Sequence, residues 1–202
     1  MSTTLTHNEP GAVVLHFGPM MKKISDEDFL EFCQLNREWR IERTKEGDLI
    51  IMPPTNSKTG GWNFDLAVEF GIWAKRDGSG KGFDSSTGFT LPNGAKRSPD
   101  LSWIRFDRWN ALTDDEQREF APACPDFVIE LRSKSDSLDA LHEKMVEYIE
   151  NGAKLGWLID PVEGNVYVYR QQTAVECIAH PETLSGEPLL RGFVLEMKDI
   201  WD

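Results

Sequence analysis

The sequence reads as an α/β or α+β chain with a central mixed β-sheet flanked by helices, and three observations point there. Helix-like and strand-like segments follow one another as helix, hairpin, helix, several strands, helix, strands. The run FVIEL at 127–131 is short and apolar apart from one carboxylate, as in a buried central strand. The segment 136–151 after it carries Leu138, Leu141, Met145, Tyr148 and Ile149 on one helical stripe, with Gly152 just past its end. A length of 202 residues with 40% hydrophobic content suits one domain, residues 1–202, with a sizeable core.

Along the chain, residues 1–10 (MSTTLTHNEP) read as a loose terminus. Ser25 then caps a helix whose first turn holds Asp26, Glu27 and Asp28, where carboxylates suit the positive helix end, and which runs to the region of Asn36. WRIER and LIIM flank Glu46, Gly47 and Asp48 as a hairpin, ended by Pro53 and Pro54. From about Asn56 to Lys75 a longer helix shows Phe64, Ala67, Val68, Phe70, Ile72 and Trp73 on more than one side, the pattern of a buried helix. Short strand pieces split by Gly88 follow from Gly82 to Thr90, and LPNG turns the chain before Lys96 and Arg97. A strand from Pro99 to Ile104 leads into a polar connection with one or two helical turns, then into the FVIEL strand. Leu155–Ile159 and Val166–Tyr169 are two further strands, joined through Asp160, Pro161, Glu163 and Gly164. The last thirty residues show no chemistry.

No stretch approaches the roughly 18 consecutive apolar residues of a membrane span, and the start lacks a basic segment followed by an apolar run, so no membrane is expected and the expected address is cytoplasmic. Cys33, Cys124 and Cys177 are odd in number and far apart, which argues against a disulfide framework or zinc cluster and for small packing residues. A net charge of −12 opposes a nucleic-acid partner if spread evenly. Between Lys75 and Lys134, however, ten Lys or Arg balance ten Asp or Glu, so the remainder carries the whole excess.

Asp100 in SPDLSWI and Glu130 in PDFVIELRSKSD are the candidate chemistry, with Lys144 on the following helix. Two carboxylates from neighbouring strands can hold a hard divalent cation, and a cation with a lysine can activate water and offset charge on a phosphate. On a two-residue period Asp126, Val128, Glu130 and Arg132 share one strand face and Phe127, Ile129 and Leu131 the other. Glu130 is then buried or half-buried and needs a cationic partner. At about 100° per residue Lys144 lies about 40° from Tyr148 and about 60° from Leu141, flanking the core stripe within reach of the sheet. Asp126 also follows a proline, but four strand residues, roughly 13 Å, separate it from Glu130, too far to share a metal. Each residue also has a plain structural reading: Asp100 capping a turn, Glu130 paired with Arg132, Lys144 solvated, His142 on an exposed flank, Ser133 or Ser135 capping the helix at Asp136. Trp62, Trp73, Trp103, Trp109 and Trp157 are scattered and read as core or interface.

SPDLSWI, then PDFVIELRSKSDSLDALHEKMVEYIENGAKLGWLIDP, resembles the Uma-type restriction endonuclease family of the PD-(D/E)xK nuclease superfamily, and the likeness reaches from the helix near Ser25 to the strand at Val166. It implies a restriction-endonuclease-like core and a Mg2+- or Mn2+-dependent endonuclease acting on DNA, often as a homodimer. By position it makes Asp100, Glu130 and Lys144 catalytic, with Asp100, Glu130 and the carbonyl of Leu131 on the metal. The chain departs from the superfamily pattern where Arg132 stands two residues after Glu130 in place of lysine. Arginine cannot release its proton and is a planar fork, so Lys144 is favoured over Arg132. Glu42 matches an acidic position that recurs in the family hairpin and either lines the site or pairs with Arg40 or Arg43. Two other readings stay open: a non-catalytic dimeric or DNA-binding protein on a nuclease scaffold, and a metal-free carboxylate pair acting on a sugar.

Overall fold

The structure is a computed structural model that describes residues 5–6, 12–17, 20 and 24–201. The N-terminal part comprises β1 (Leu5–Thr6), β2 (Val13–Leu15), α1 (Asp26–Leu35), β3 (Arg40–Arg43), β4 (Leu49–Met52) and α2 (Ser57–Asp77). The middle follows with β5 (Gly80–Asp84), β6 (Phe89–Thr90), β7 (Lys96–Arg97), β8 (Leu101–Arg105), α3 (Phe106–Trp109), α4 (Asp114–Arg118) and β9 (Phe127–Leu131). Last come α5 (Leu138–Glu150), β10 (Leu155–Asp160), β11 (Asn165–Arg170), β12 (Glu176–Ala179), β13 (Thr183–Ser185), β14 (Val194–Glu196) and α6 (Lys198–Trp201).

The larger motif is a mixed sheet in the order β12-β11-β10-β9-β8-β5. Only β9 and β10 run parallel, because α5 carries the chain back between them, and the other pairs are antiparallel. All five residues of β9 and all six of β10 are buried, as expected for strands covered on both faces. One face, through Phe127, Ile129, Leu131, Trp103 and Trp157, packs on Leu66, Phe70 and Ala74 of α2 and on the C-terminal segment around Phe193 and Met197. The opposite face, through Val128, Leu158 and Tyr169, packs on Met145 and Tyr148 of α5. The period-two division of the FVIEL strand is therefore the division between two cores.

Gly156 sets how closely α5 approaches: a Cβ there would come within 2.5 Å of Met145 Cε. The helix ends into Gly152, whose φ of 115° favours glycine. A second sheet, in the order β1-β2-β4-β3-β7-β6, carries the predicted hairpin as β3 and β4. It is fixed to α1 through Phe29, Ile41 and Leu49, and buried Lys96 bonds Asp26 at 2.5 Å.

Several expectations are revised. Of the loose terminus, Leu5–Thr6 pairs with β2 and the rest lies outside the described residues. Helix α2 is not buried all round, since Phe64, Val68 and Ile72 recur every four residues on an exposed stripe while Leu66, Phe70 and Ala74 meet the core. The cap of α5 is Ser137, whose hydroxyl accepts from the Ala140 N–H; Ser133 and Ser135 bond each other instead. Cys124 packs in the core, but Cys177 is exposed on an edge strand. Trp103, Trp109 and Trp157 are buried, and Trp62 and Trp73 lie partly buried against the core. No described helix is long and apolar enough to cross a membrane.

Candidate active site

Asp100 stands one residue ahead of β8, and the register Leu101↔Ile129 extended by one step sets it opposite Glu130 on β9. Residues directly opposite in an antiparallel pair hold their Cβ atoms roughly 5 Å apart. Asp100 Oδ2 accepts the Leu131 N–H at 2.9 Å, which fixes that carboxylate to the end of β9. Glu130 is buried on the α5 side of the sheet. There Lys144 Nζ lies 2.8 Å from Glu130 Oε1, and the Tyr148 hydroxyl donates to the same oxygen at 3.0 Å. Lys144 and Tyr148 are four residues apart, hence neighbours on one helix face.

The hairpin supplies the remaining charges. On β3 the two-residue period puts Arg40 and Glu42 on one face. Arg40 Nη1 is 2.7 Å from Asp100 Oδ1. Glu42 Oε1 meets Lys144 Nζ at 2.9 Å and accepts the Ser98 N–H at 3.0 Å, while Oε2 meets Arg97 at 3.0 Å. Arg97 in turn binds Glu147 of α5 at 2.6 Å. The open choice for Glu42 thus resolves toward the site, with Lys144 and Arg97 as its partners in place of Arg40 or Arg43. Arg97 and Arg40 were not expected there. The alternation in RIER was the available signal for Arg40, while Arg97 carries none beyond its nearness to Asp100.

The charges are unequal. Burial pushes the Glu130 carboxyl up, Lys144 pulls it down, and Asp100 and Glu42 push it up again, leaving it at about 7. Burial also opposes ionisation of Glu42, but Lys144, Arg97 and Arg40 outweigh it and hold that carboxyl well below the usual range. Burial lowers the Lys144 ammonium, Glu130 and Glu42 raise it more, and it stays charged. Burial, with Glu130 and Glu42 beside it, pushes the Tyr148 hydroxyl far up, so it serves as a neutral donor. Glu42 is therefore the standing counter-ion of Lys144, and Glu130 is the carboxylate with too much negative charge around it.

Other sequence candidates lie apart from this cluster. Arg132 bonds Asp160 at 2.7 Å and the Asp136 carbonyl at 3.2 Å, so it does not pair with Glu130. Asp126 is buried with Arg108 and Lys154, each at 3.0 Å, at the far end of β9. His142 is a half-buried residue bonded to the Tyr169 hydroxyl and set edge-on to Tyr167.

Two clefts of about 830 and 910 Å³ share Arg40, Asp100 and Leu131 in their walls. The first is largely neutral and polar, with Trp39, Asn56, Asn63 and Ser86. The second is acid-rich, with Glu46, Glu143 and Glu150 beyond the cluster. No three His, Cys, Asp or Glu side chains among the described residues form a metal cage. A magnesium site commonly uses only one or two carboxylates and keeps several waters. Asp100 and Glu130 offer hard oxygens side by side, and the elevated Glu130 carboxyl marks a place where added positive charge is favourable, so the donor set fits magnesium or manganese.

A structure of a "putative nuclease belonging to DUF820" from Anabaena variabilis ATCC 29413 superposes with a TM-score of 0.72 at 24% identity, covering 88% of this chain and 97% of that one, which establishes the shared fold. No curated protein matches the chain. The model of one family, described as "Uma2: Putative restriction endonuclease", matches residues 26–198, and with that span of its length matched the chain belongs to the Uma2 family.

Proposed function

We propose that the protein is a divalent-metal-dependent endonuclease that hydrolyses phosphodiester bonds in DNA, with Asp100, Glu130 and Lys144 as its catalytic residues. The observation that carries this reading is the convergence of Asp100 from the edge of β8, Glu130 from β9 and Lys144 from α5 on one cluster that opens into two clefts. Asp100, Glu130 and the Leu131 carbonyl would hold magnesium or manganese, which would supply Lewis-acid polarisation of the phosphate and a water of lowered pKa.

The chain's own groups have separate tasks. Lys144, kept charged and pinned by Glu42, points its ammonium at Glu130 and offsets charge on a phosphate placed there. Tyr148 holds Glu130 from behind, and the Leu131 N–H holds Asp100, so both carboxylates present fixed oxygens. The belonging to Uma2, together with the fold shared with the structure titled a "putative nuclease belonging to DUF820", supports the same reaction class. A homodimer is the assembly proposed with it, to be checked by light scattering.

Plasmid nicking in magnesium or manganese by wild type and by Asp100→Ala tests the proposal. Wild type should cut and the variant should not. Equal cutting by both removes the assigned site, and no cutting with any divalent metal removes the catalytic claim and leaves a nuclease scaffold without turnover.

A further inference from the structure

Three arginine or lysine side chains surround the carboxylates, and they are not held alike. Lys144 is clamped between Glu42 and Glu130, and Arg97 between Glu42 and Glu147, with only 10% and 9% of their side chains exposed. Arg40 makes a single end-on ion pair, Nη1 to Asp100 Oδ1 at 2.7 Å, and its Nη2 reaches only the Met52 thioether at 3.5 Å. Its side chain is 31% exposed and lines both clefts. A guanidinium carries five donors in a fork suited to phosphate, and most of this fork is unspent.

The oxygen that Arg40 covers is the one a metal needs. Asp100 Oδ2 is already committed to the Leu131 N–H, so Oδ1 is the oxygen left for a cation. A guanidinium and a divalent ion on one carboxylate oxygen repel each other over a short distance, and the repulsion is strong away from bulk water. The displaced side chain would stay in the wall shared by the two clefts, whose other basic residues are the exposed Arg37 and Lys45 and the carboxylate-clamped Arg97 and Lys144.

We infer that Arg40 competes with the divalent cation for Asp100 Oδ1 and, once displaced, grips a phosphate of the nucleic-acid strand in the cleft. This rests on the metal-dependent reading of the site and adds to it a substrate-binding residue that is released by the metal. The role couples metal loading to substrate capture, since a metal on Asp100 Oδ1 frees Arg40 Nη1 to join the unspent rest of its fork on a phosphate.

The test is a pair of titrations on wild type, Arg40→Ala and Arg40→Lys. Calorimetry with manganese alone should show about tenfold tighter binding to Arg40→Ala, because a competing positive charge is gone. Fluorescence anisotropy with a labelled DNA duplex in calcium should show the opposite sign, about tenfold weaker binding. Arg40→Lys keeps the charge but not the fork, so manganese affinity should stay within about threefold of wild type while DNA affinity falls. A merely structural arginine would weaken both ligands together. Manganese binding to wild type with unchanged or weaker binding to Arg40→Ala overturns the competition and leaves the metal site standing; no manganese binding by either protein overturns both.

Discussion

Asp126 lies just before β9 and Glu130 next to its last residue, both buried and on one strand face, yet their surroundings differ in kind. Asp126 accepts the Arg105 N–H at 3.1 Å and pairs with Arg108 and Lys154. Those two cations are 36% and 46% exposed, so their charge is partly solvated while the carboxylate is closed in. Glu130 shares its one ion-paired cation with Glu42 and has Asp100 across the strand pair. A buried acid surrounded by donors is a joint that ties β8, β9 and the start of β10 together. A buried acid surrounded by more acids is stable only because something cationic is at hand, and such a place accepts a further cation.

The contrast is sharpest in Glu130→Gln. That change removes a proposed metal ligand and should cut plasmid nicking by about 10³-fold, on the order of 4 kcal/mol of lost transition-state stabilisation. Stability measured by urea denaturation should hold or rise, because an ion that burial disfavours becomes a neutral amide. A variant that unfolds easily would place Glu130 with Asp126 as a joint.

Asp126→Ala should behave in reverse. Losing the bond from the Arg105 N–H and the two ion pairs should lower stability by about 2–3 kcal/mol in the same denaturation assay. Manganese affinity of the folded protein should be unchanged, as Asp126 lies roughly 13 Å along the strand from Glu130. A matching loss of metal affinity would dissolve the distinction between the two ends.

A smaller effect comes from protons. Glu130 titrates at about 7 in the folded chain against an ordinary value of 4.5. Between those two values the folded chain holds a proton that the unfolded chain has released, so raising the pH through this window costs stability and lowering it restores stability. Wild type should therefore gain on Glu130→Gln as the pH falls from about 7 toward about 4.5, read as the difference in urea midpoints. Glu42, held low, would lose its contribution only below that window.

How much of this was legible in the sequence depended on whether a residue's role was local. The alternation in FVIEL placed Glu130 on the α5 side, and the stripe Leu141, Met145, Tyr148 aimed Lys144 at the sheet, because both periodicities are fixed by backbone geometry. The hairpin and the cap at Ser25 were legible for the same reason. The sequence does not decide the role of Glu42 or mark Arg97, because their partners come from other elements, 102 and 55 positions from Glu42. The exposed stripe of α2 is not legible, since apolar residues on several sides do not say which sides find a neighbour. The strands β12, β13 and β14 were not anticipated, their segments being short and half-exposed.

The smallest expected effect concerns the residue that breaks the superfamily pattern. Arg132 follows Glu130 by two positions and shares its face by period, but its guanidinium turns to Asp160 at 2.7 Å, to Glu163 at 3.6 Å and to the Asp136 carbonyl. There it secures the end of β10 and the loop leading into α5, which is the work Asp126 does at the opposite end. Arg132→Lys keeps a charge for Asp160 and loses the hydrogen bond to the Asp136 carbonyl, at a cost of about 1 kcal/mol in stability. Nicking should stay within about twofold of wild type, since a factor of two is only about 0.4 kcal/mol in the barrier. If the new lysine raised the rate instead, or restored it in a Lys144→Met background, the strand position would regain the role assigned to α5. Two basic residues near Glu130 would then be interchangeable, whereas the present geometry gives one to the carboxylate pair and the other to the joint beside it.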